Sequence, residues 1–443
     1  MFSAMRFVQF TPGAGGMLCG NCLRDNALVA ALCRMGHDAV MVPLYLPMTL
    51  DEADQSAPQS VLFGGINVYL DQVFPLFHRA PQWMRRALAS RWMLRAAGRH
   101  AAKTRPQDVA DITLSMLRGE QGNQSAELSG LTAWIESQPK PDMTCLSNGL
   151  LAGLARTIKT ATHAPLICML HGEDLFLDQL PDPKRAGAWR LMKERLADAD
   201  WLVAPSRYYA GAMERRLDLP PGRIRVAHNG IDLSGYDIGN AGEKPAGTAM
   251  PVIGFFARMC REKGIDLLVD AFVELRRRNR IRARLHMGGS CGPADQPVVA
   301  EMRRKLEAAG LMEDAAFFPN LDRAGKIAFL KSLSVLSVPT RYGEAFGLYV
   351  IEAMAAGVPV VLPRRGAFPE IIGSTGGGML YNPQDSSGLA DALEAMLGDS
   401  GQARRMGQSG REVVFRDFSA GAMAARMLEI PGTRELDPGM KNG

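Results

Sequence analysis

The feature that most limits the fold of this chain is a repeated alternation between short, continuously apolar runs and longer segments of helical periodicity. From residue 251 onward, Val252 to Ala257 reads as a strand, Ile265 to Arg278 as a helix and Ala283 to Gly288 as a strand. Val298 to Ala309 then reads as a helix, Ala315 to Phe318 as a strand and Lys326 to Ser332 as a helix. Val335 to Val338 is a strand, Gly347 to Ala356 a helix stopped by Gly357, and Val358 to Leu362 a further strand. Strands that are apolar on both faces and separated by helices form a parallel sheet covered on both sides.

The amino-terminal residues open in the same way. Met5 to Thr11 is a short β-type run and Pro12-Gly-Ala-Gly-Gly a turn. Asn21 to Met35 carries helical apolar spacing at Leu23, Ala27, Leu28, Ala31 and Leu32, Gly36 fits a carboxyl-terminal cap, and Ala39 to Leu44 is apolar again. Between the two alternating regions lies Ser234 to Thr248, rich in Gly and Pro and poor in apolar residues, which reads as a linker. The prediction is an α/β protein with two doubly wound parallel-sheet domains, about 1–235 and 250–415, followed by helical segments to about 430. The length, 443 residues, suits two or three domains at about 150 residues each.

A composition of 47% hydrophobic and 22% charged residues excludes disorder, collagen and a disulfide-rich mini-scaffold. No uncharged apolar run approaches the about 18 residues of a membrane span. The first residues run into a core strand without the tripartite form of a signal peptide, so a cytoplasmic location is expected. Seven cysteines, an odd number with one close pair, suit a reducing compartment. The net charge of +5 is unevenly placed: 79–105 holds eight basic residues and no acidic one, leaving −3 for the remainder. That pattern points to a local anionic partner and away from nucleic acid.

Ligands of open parallel sheets bind at the carboxyl ends of strands, and two such domains make the cleft between them the natural site. Four polar clusters follow apolar strands. In Pro12-Gly13-Ala14-Gly15-Gly16, Leu18 stands where the third glycine of a dinucleotide fingerprint is needed and no acidic residue follows the second strand, which disfavours a nicotinamide site. This loop is either a plain turn or a cradle of backbone N–H groups for an anion or sugar. His171 ends the apolar run Pro165 to Leu170 and is followed by Gly172, Glu173 and Asp174, so it is either a satisfied core histidine or an imidazole placed with carboxylates at a crevice. Arg258 and Lys263 lie in a loop that ends at a helix start, an arrangement suited to a diphosphate or to plain solvation. Glu344 lies in the loop after Pro339, and Glu352 sits within the otherwise apolar Leu348 to Ala356. A carboxylate there needs hydrogen-bond partners, which ribose hydroxyls or a structural ion pair would supply.

At these residues the chain resembles the family 4 glycosyltransferases, retaining enzymes with two Rossmann-like domains facing across a cleft, the GT-B architecture. The resemblance rests on Glu344 and Glu352 as an E-x7-E pair, on Arg258 with Lys263-Gly264, on Asn229-Gly-Ile-Asp232, and on Gly15-Gly16 with Leu32 to His37. It implies transfer of a sugar from a nucleotide-diphosphate sugar with retention, no obligatory metal and no cofactor. It implies that Glu344 contacts the donor sugar, that Glu352 holds the ribose, and that Arg258 and Lys263 neutralise the leaving diphosphate. It also implies that Gly16 and the amides at Phe346, Gly347 and Leu348 contact phosphate or sugar, that His171 lies at the sugar and acceptor side, and that helices at about 416–430 complete the first domain. The acceptor, a sugar, lipid or small molecule, is not specified.

The chain departs from the family pattern in two places. Ala257 replaces the glycine usual before Arg258, and Cys19-Gly-Asn-Cys22 opens the first helix. Cys19 and Cys22 suit packing or lining of the cleft, a redox role of the C-x-x-C type, or, with Cys33, a metal. In the basic segment Arg91, Arg95 and Arg99 recur at helical spacing beside Trp83 and Trp92, as a solvated face or as a peripheral contact with an anionic inner-membrane surface. The alternative functions are a sugar-nucleotide epimerase on the same fold and a thiol redox activity.

Overall fold

The computed structural model describes residues 4–13, 20–45, 48, 50–56, 106–236 and 250–432. They divide into two compact units, one within 1–228 and from 423 onward, the other within 229–422. The sequence expectations that fall on Gly16, Cys19 and the basic segment 79–105 lie outside the described residues.

In the first unit β1 (Arg6–Thr11) leads to α1 (Gly20–Arg34) and β2 (Asp38–Pro43), within one residue of the segments predicted at each end. Then come α2 (Pro106–Arg118), α3 (Ser125–Glu136), β3 (Met143–Leu146), α4 (Ala155–Thr162), β4 (Leu166–Met169), α5 (Glu173–Leu177), α6 (Lys184–Leu196), β5 (Trp201–Ala204), α7 (Arg207–Arg216) and β6 (Ile224–Val226). All pairings are parallel, in the order β2-β1-β3-β4-β5-β6. Strands β3, β4 and β5 are buried along their whole length, as continuous apolar runs require.

The second unit contains β7 (Val252–Phe256), α8 (Ile265–Arg278), β8 (Arg284–Gly289), α9 (Gln296–Ala308), β9 (Ala315–Pro319), α10 (Arg323–Ser332) and β10 (Val335–Leu336). It continues with α11 (Leu348–Ala355), β11 (Val360–Pro363), α12 (Phe368–Thr375), β12 (Gly378–Tyr381), α13 (Gly388–Gly398) and α14 (Ser400–Asp417). Its parallel sheet runs β9-β8-β7-β10-β11-β12, so the chain winds outward in both directions from β7 and β10. Helix α8 shows why the local sequence forms it. Ile265, Leu268, Val269, Phe272 and Leu275 bury one face, Asp266 stands in the first turn, three arginines fill the last, and Asn279 caps it in the left-handed conformation.

The last helix, α15 (Ala420–Gly432), passes from the second unit into the first, where Arg225 donates to the Ile430 carbonyl at 3.4 Å. At its start Ile231 exchanges backbone hydrogen bonds with Phe418 and Ala420. Gly230 is needed there, because a Cβ would stand 2.1 Å from the Ser419 carbonyl oxygen. Two features are thus built into the fold for ligands: each sheet reverses its winding once, between β1 and β3 in the first unit and between β7 and β10 in the second.

Candidate active site

The reversal between β7 and β10 gathers most of the predicted donor residues. After β7 the chain passes through Arg258 and a single 3-10 turn, Arg261–Lys263, to Gly264, whose φ of 76° starts α8. Gly264 packs on the end of β10: a Cβ would meet the Pro339 carbonyl oxygen at 2.0 Å. The glycine after Lys263 is therefore a condition for bringing the two strand ends together. Asp266, in the first turn of α8, accepts both Arg341 guanidinium nitrogens at 2.7 and 2.8 Å and Arg261 at 3.0 Å, tying the loop after β10 to that after β7. Burial acts to raise the Asp266 carboxyl, but the bonds and charge of Arg341 outweigh it and hold it below its ordinary value.

At this junction the Lys263 ammonium ion-pairs with Glu344 Oε1. The same ammonium lies over the rings of Tyr342 and Tyr349, 5.1 and 5.5 Å from their centroids. Tyr349 also donates to Glu344 Oε1 at 3.2 Å. Burial, reinforced by the Glu344 charge, pushes both phenols far above their usual range, so they remain hydrogen-bond donors. The Glu344 backbone is set by the Ala367 N–H, which donates to its carbonyl at 3.0 Å.

The remaining predicted residues take separate partners. Arg258 directs its Nε to both oxygens of the buried Asp295, at 2.9 and 3.1 Å, while 53% of its side chain stays exposed. Glu352 accepts Lys326 Nζ at 2.8 Å, with only 13% and 7% of the two side chains exposed. Phe346 turns its ring into the core against Phe418, at 6.0 Å between centroids, so only its backbone faces a ligand role. Gly347, with φ of 93°, is the residue from which α11 starts at Leu348.

For the His171 segment of the first unit the sequence leaves two readings, a satisfied core histidine or an imidazole placed with carboxylates at a crevice; in the structure the Glu173 carboxylate takes buried backbone and tyrosine partners. Glu173 is fully buried and points back into the fold, its Oε1 accepting the Gly149 and His171 N–H groups at 2.7 and 2.8 Å and its Oε2 the Tyr209 hydroxyl at 2.8 Å. Burial raises its carboxyl despite these bonds. Glu173 thus anchors the backbone of His171. The imidazole is depressed well below 6.5, by burial first and by the positive charge of Arg24 second, and is neutral at pH 7.

Cys22 is buried, and burial raises the Cys145 and Cys168 thiols. Buried thiols with raised values are poor nucleophiles. Among the described residues no three His, Cys, Asp or Glu side chains come together as metal ligands. Sequence reasoning did not single out Tyr342, Tyr349, Asp295 or Lys326. Tyr342 lies in the loop after Pro339 and Tyr349 between the paired glutamates, whereas the roles of Asp295 and Lys326 depend on contacts 37 and 26 residues away.

Two doubly wound parallel sheets in one chain, with cations set beside a carboxylate at the winding reversal of the second, define the two-domain GT-B class. The model for glycosyl transferases group 1 matches residues 242–413, and that for glycosyltransferase family 4 matches 121–234. The chain belongs to the family 4 glycosyltransferases. It is 30% identical over 273 residues to the D-inositol 3-phosphate glycosyltransferase of Corynebacterium efficiens, covering 58% of this chain and 63% of the relative. With the alpha-maltose-1-phosphate synthase of Mycobacterium tuberculosis it shares 30% over 229 residues, 48% of this chain and 57% of the relative. The chain thus spans less than two thirds of the length of these relatives. Among solved structures, sucrose-phosphate synthase from Thermosynechococcus elongatus has the same fold with a TM-score of 0.69 at 19% identity, covering 97% of this chain and 98% of that one. Anabaena HepE, solved with UDP-glucose, shares it with a TM-score of 0.64 at 16% identity, covering 97% and 100%.

Proposed function

We propose that this chain is a retaining, metal-independent glycosyltransferase that moves a sugar from a nucleotide-diphosphate sugar to an acceptor hydroxyl. The observation that carries the reading is the contact of Lys263 with Glu344 at the winding reversal, with Arg258 in the same loop. Each cation has a carboxylate partner, Asp295 for Arg258 and Glu344 for Lys263. A donor diphosphate competes for both cations and frees Glu344 for the sugar.

As the bond between the sugar and the diphosphate breaks, negative charge grows on the leaving oxygens and positive charge on the sugar ring. Arg258 and Lys263 stabilise the first and Glu344 the second, by groups already in place before reaction. Glu352, oriented through one oxygen by Lys326, has its other oxygen for the ribose hydroxyls. His171 acts at the acceptor side as a neutral imidazole. UDP is the first donor base to test, since HepE was solved with UDP-glucose. We place the enzyme in the cytoplasm, with 79–105 as its contact to an anionic membrane surface.

A thermal-shift panel of UDP, GDP and ADP tests the reading. A nucleotide at 100 times its dissociation constant adds about 2.7 kcal/mol of stability. One nucleotide raises the melting temperature, and Arg258→Ala and Lys263→Ala abolish that rise; no response to any nucleotide rejects a nucleotide-sugar donor.

A further inference from the structure

The first unit reverses its winding between β1 and β3, and the side chains there form a second polar cluster that the donor chemistry does not use. Gln9 and Thr11 lie on β1, Arg24 and Asp25 in the second turn of α1, and Ser147 directly after β3. All five are buried, Arg24 at 1% and the others at 0% exposure. Arg24 holds Asp25 Oδ1 through Nε at 2.9 Å and reaches across 123 residues to the Ser147 carbonyl at 2.9 Å and hydroxyl at 3.2 Å. β3 and β4 are neighbours in the sheet, with Leu146 opposite Cys168, so Ser147 and His171 follow adjacent strand ends.

What sets this cluster apart is what it leaves unused. Among the described residues, Arg24 Nη1, Asp25 Oδ2, Thr11 Oγ1 and His171 Nε2 are buried without a hydrogen-bond partner. Gln9 lies opposite Cys145 in register, and neither atom of its amide has a hydrogen-bond partner among the described residues. Buried polar atoms in folded proteins are almost always paired, and several unpaired ones at one strand reversal mark groups waiting for a partner. Pro12 and Gly13, which follow Thr11, and His171 and Gly172 at the end of β4 are partly exposed, so the cluster has an edge at the surface.

The donor and acceptor character of these atoms selects the ligand. Arg24 Nη1 only donates, Asp25 Oδ2 accepts, and Gln9 and Thr11 do both. Arg24 and Asp25 are adjacent in one helix turn and both fully buried, so their charges stay together, whereas the partly exposed Arg258 and Lys263 can leave their carboxylates for a diphosphate; a phosphate would also meet the Asp25 carboxylate oxygen. A hydroxyl group accepts from Arg24 and donates to Asp25 at the same time. We infer that Gln9, Thr11, Arg24, Asp25 and His171 form a binding site for an uncharged, polyhydroxylated ligand and discriminate against its phosphorylated form. As the acceptor's site this deepens the transferase reading and rests on it; as a polyol site it stands without it.

The test is binding to the full chain without nucleotide, by thermal shift and ligand-observed NMR. The probes are glucose and myo-inositol against glucose 6-phosphate and an inositol monophosphate. A neutral polyol binds, its phosphate binds at least tenfold more weakly, and Thr11→Val, which keeps the shape and removes the hydroxyl, weakens the neutral ligand about tenfold. Asp25→Asn removes the carboxylate and narrows the preference over the phosphate, an effect that loss of packing would not produce. Should Asp25→Asn fail to fold, the Thr11→Val result and the neutral-to-phosphate ratio of the wild type decide. Tighter binding of the phosphates, no binding of the neutral polyols, or indifference to Thr11→Val overturns the inference. A nucleotide response in the UDP panel without polyol binding rejects this site alone, whereas polyol binding without any nucleotide response rejects the donor reading and leaves the site.

Discussion

Glu344 is held at one oxygen by two donors of different kind, an ammonium and a phenol, and this decides what its replacement does. Glu344→Gln preserves shape and removes charge. If the carboxylate steadies positive charge on the sugar, turnover falls by about 10²-fold or more. Nucleotide affinity behaves oppositely: Lys263 loses its anionic partner, so UDP binds at least as tightly as to the wild type. Initial rates together with UDP titration check both halves, and a parallel loss of binding and rate would make Glu344 a packing residue. His171 carries a prediction about pH. The unfolded chain takes up a proton near 6.5 that the folded chain refuses, so its contribution to stability is complete above 6.5. That contribution falls as pH drops below this value, by up to about 1.4 kcal/mol per pH unit. Glu173 works the other way: its raised carboxyl keeps in the folded chain a proton that the unfolded chain loses near 4.5, so it costs stability as pH rises through the raised value. Melting temperatures between about pH 7.5 and about pH 5.5 should therefore drop less for His171→Gln than for the wild type, and equal slopes would mean that the imidazole protonates freely in the folded state.

Helix α10 contributes a buried ion pair to α11, Lys326 with Glu352, and the pair orients the carboxylate proposed to hold the ribose. Lys326→Met leaves the Glu352 carboxylate buried without compensation, a loss of about 3–5 kcal/mol in urea denaturation. The double variant Lys326→Met, Glu352→Leu restores much of that stability by apolar packing and still binds nucleotide weakly, which separates the ribose role from the structural one. This pair also shows what the sequence carries at the level of elements. The predicted helix from Ile265 to Arg278 coincides with α8 because its start, its apolar face and its asparagine cap are all local. The strand predicted from Val335 to Val338 shortens to two residues, because β10 has register partners only at Val335 and Leu336 before the chain turns toward Pro339 and the loop that carries Glu344. Local pattern likewise placed Glu344, Lys263 and Arg258 after apolar strands, where they are found. It could not say that Glu173 turns inward to two backbone N–H groups and a tyrosine 36 residues away, nor that Arg24 reaches Ser147, since those partners are chosen by the packing of distant elements.

At the scale of the whole molecule the two units repeat one plan with different polar groups: ion pairs that are partly exposed in the second and fully buried in the first. Each sheet reverses its winding at one pair of strands, β1 with β3 and β7 with β10. The second unit surrounds its reversal with Arg258, Arg261, Lys263 and Arg341, a set suited to a polyanion. The first surrounds its own with a neutralised Arg24–Asp25 pair and uncharged donors and acceptors. The proposed function and the inferred polyol site assign a nucleotide diphosphate and an uncharged acceptor to different units, an assignment that hydrogen–deuterium exchange tests directly. UDP should slow exchange most in 257–264 and 340–348, where the loops close on the diphosphate, and least in 9–11 and 147–149. A neutral polyol should reverse that ranking. If UDP protected the β1 end as strongly as the β7 end, the cations of the second unit would not be the principal diphosphate site, and the division of ligands between the two sheets would be wrong.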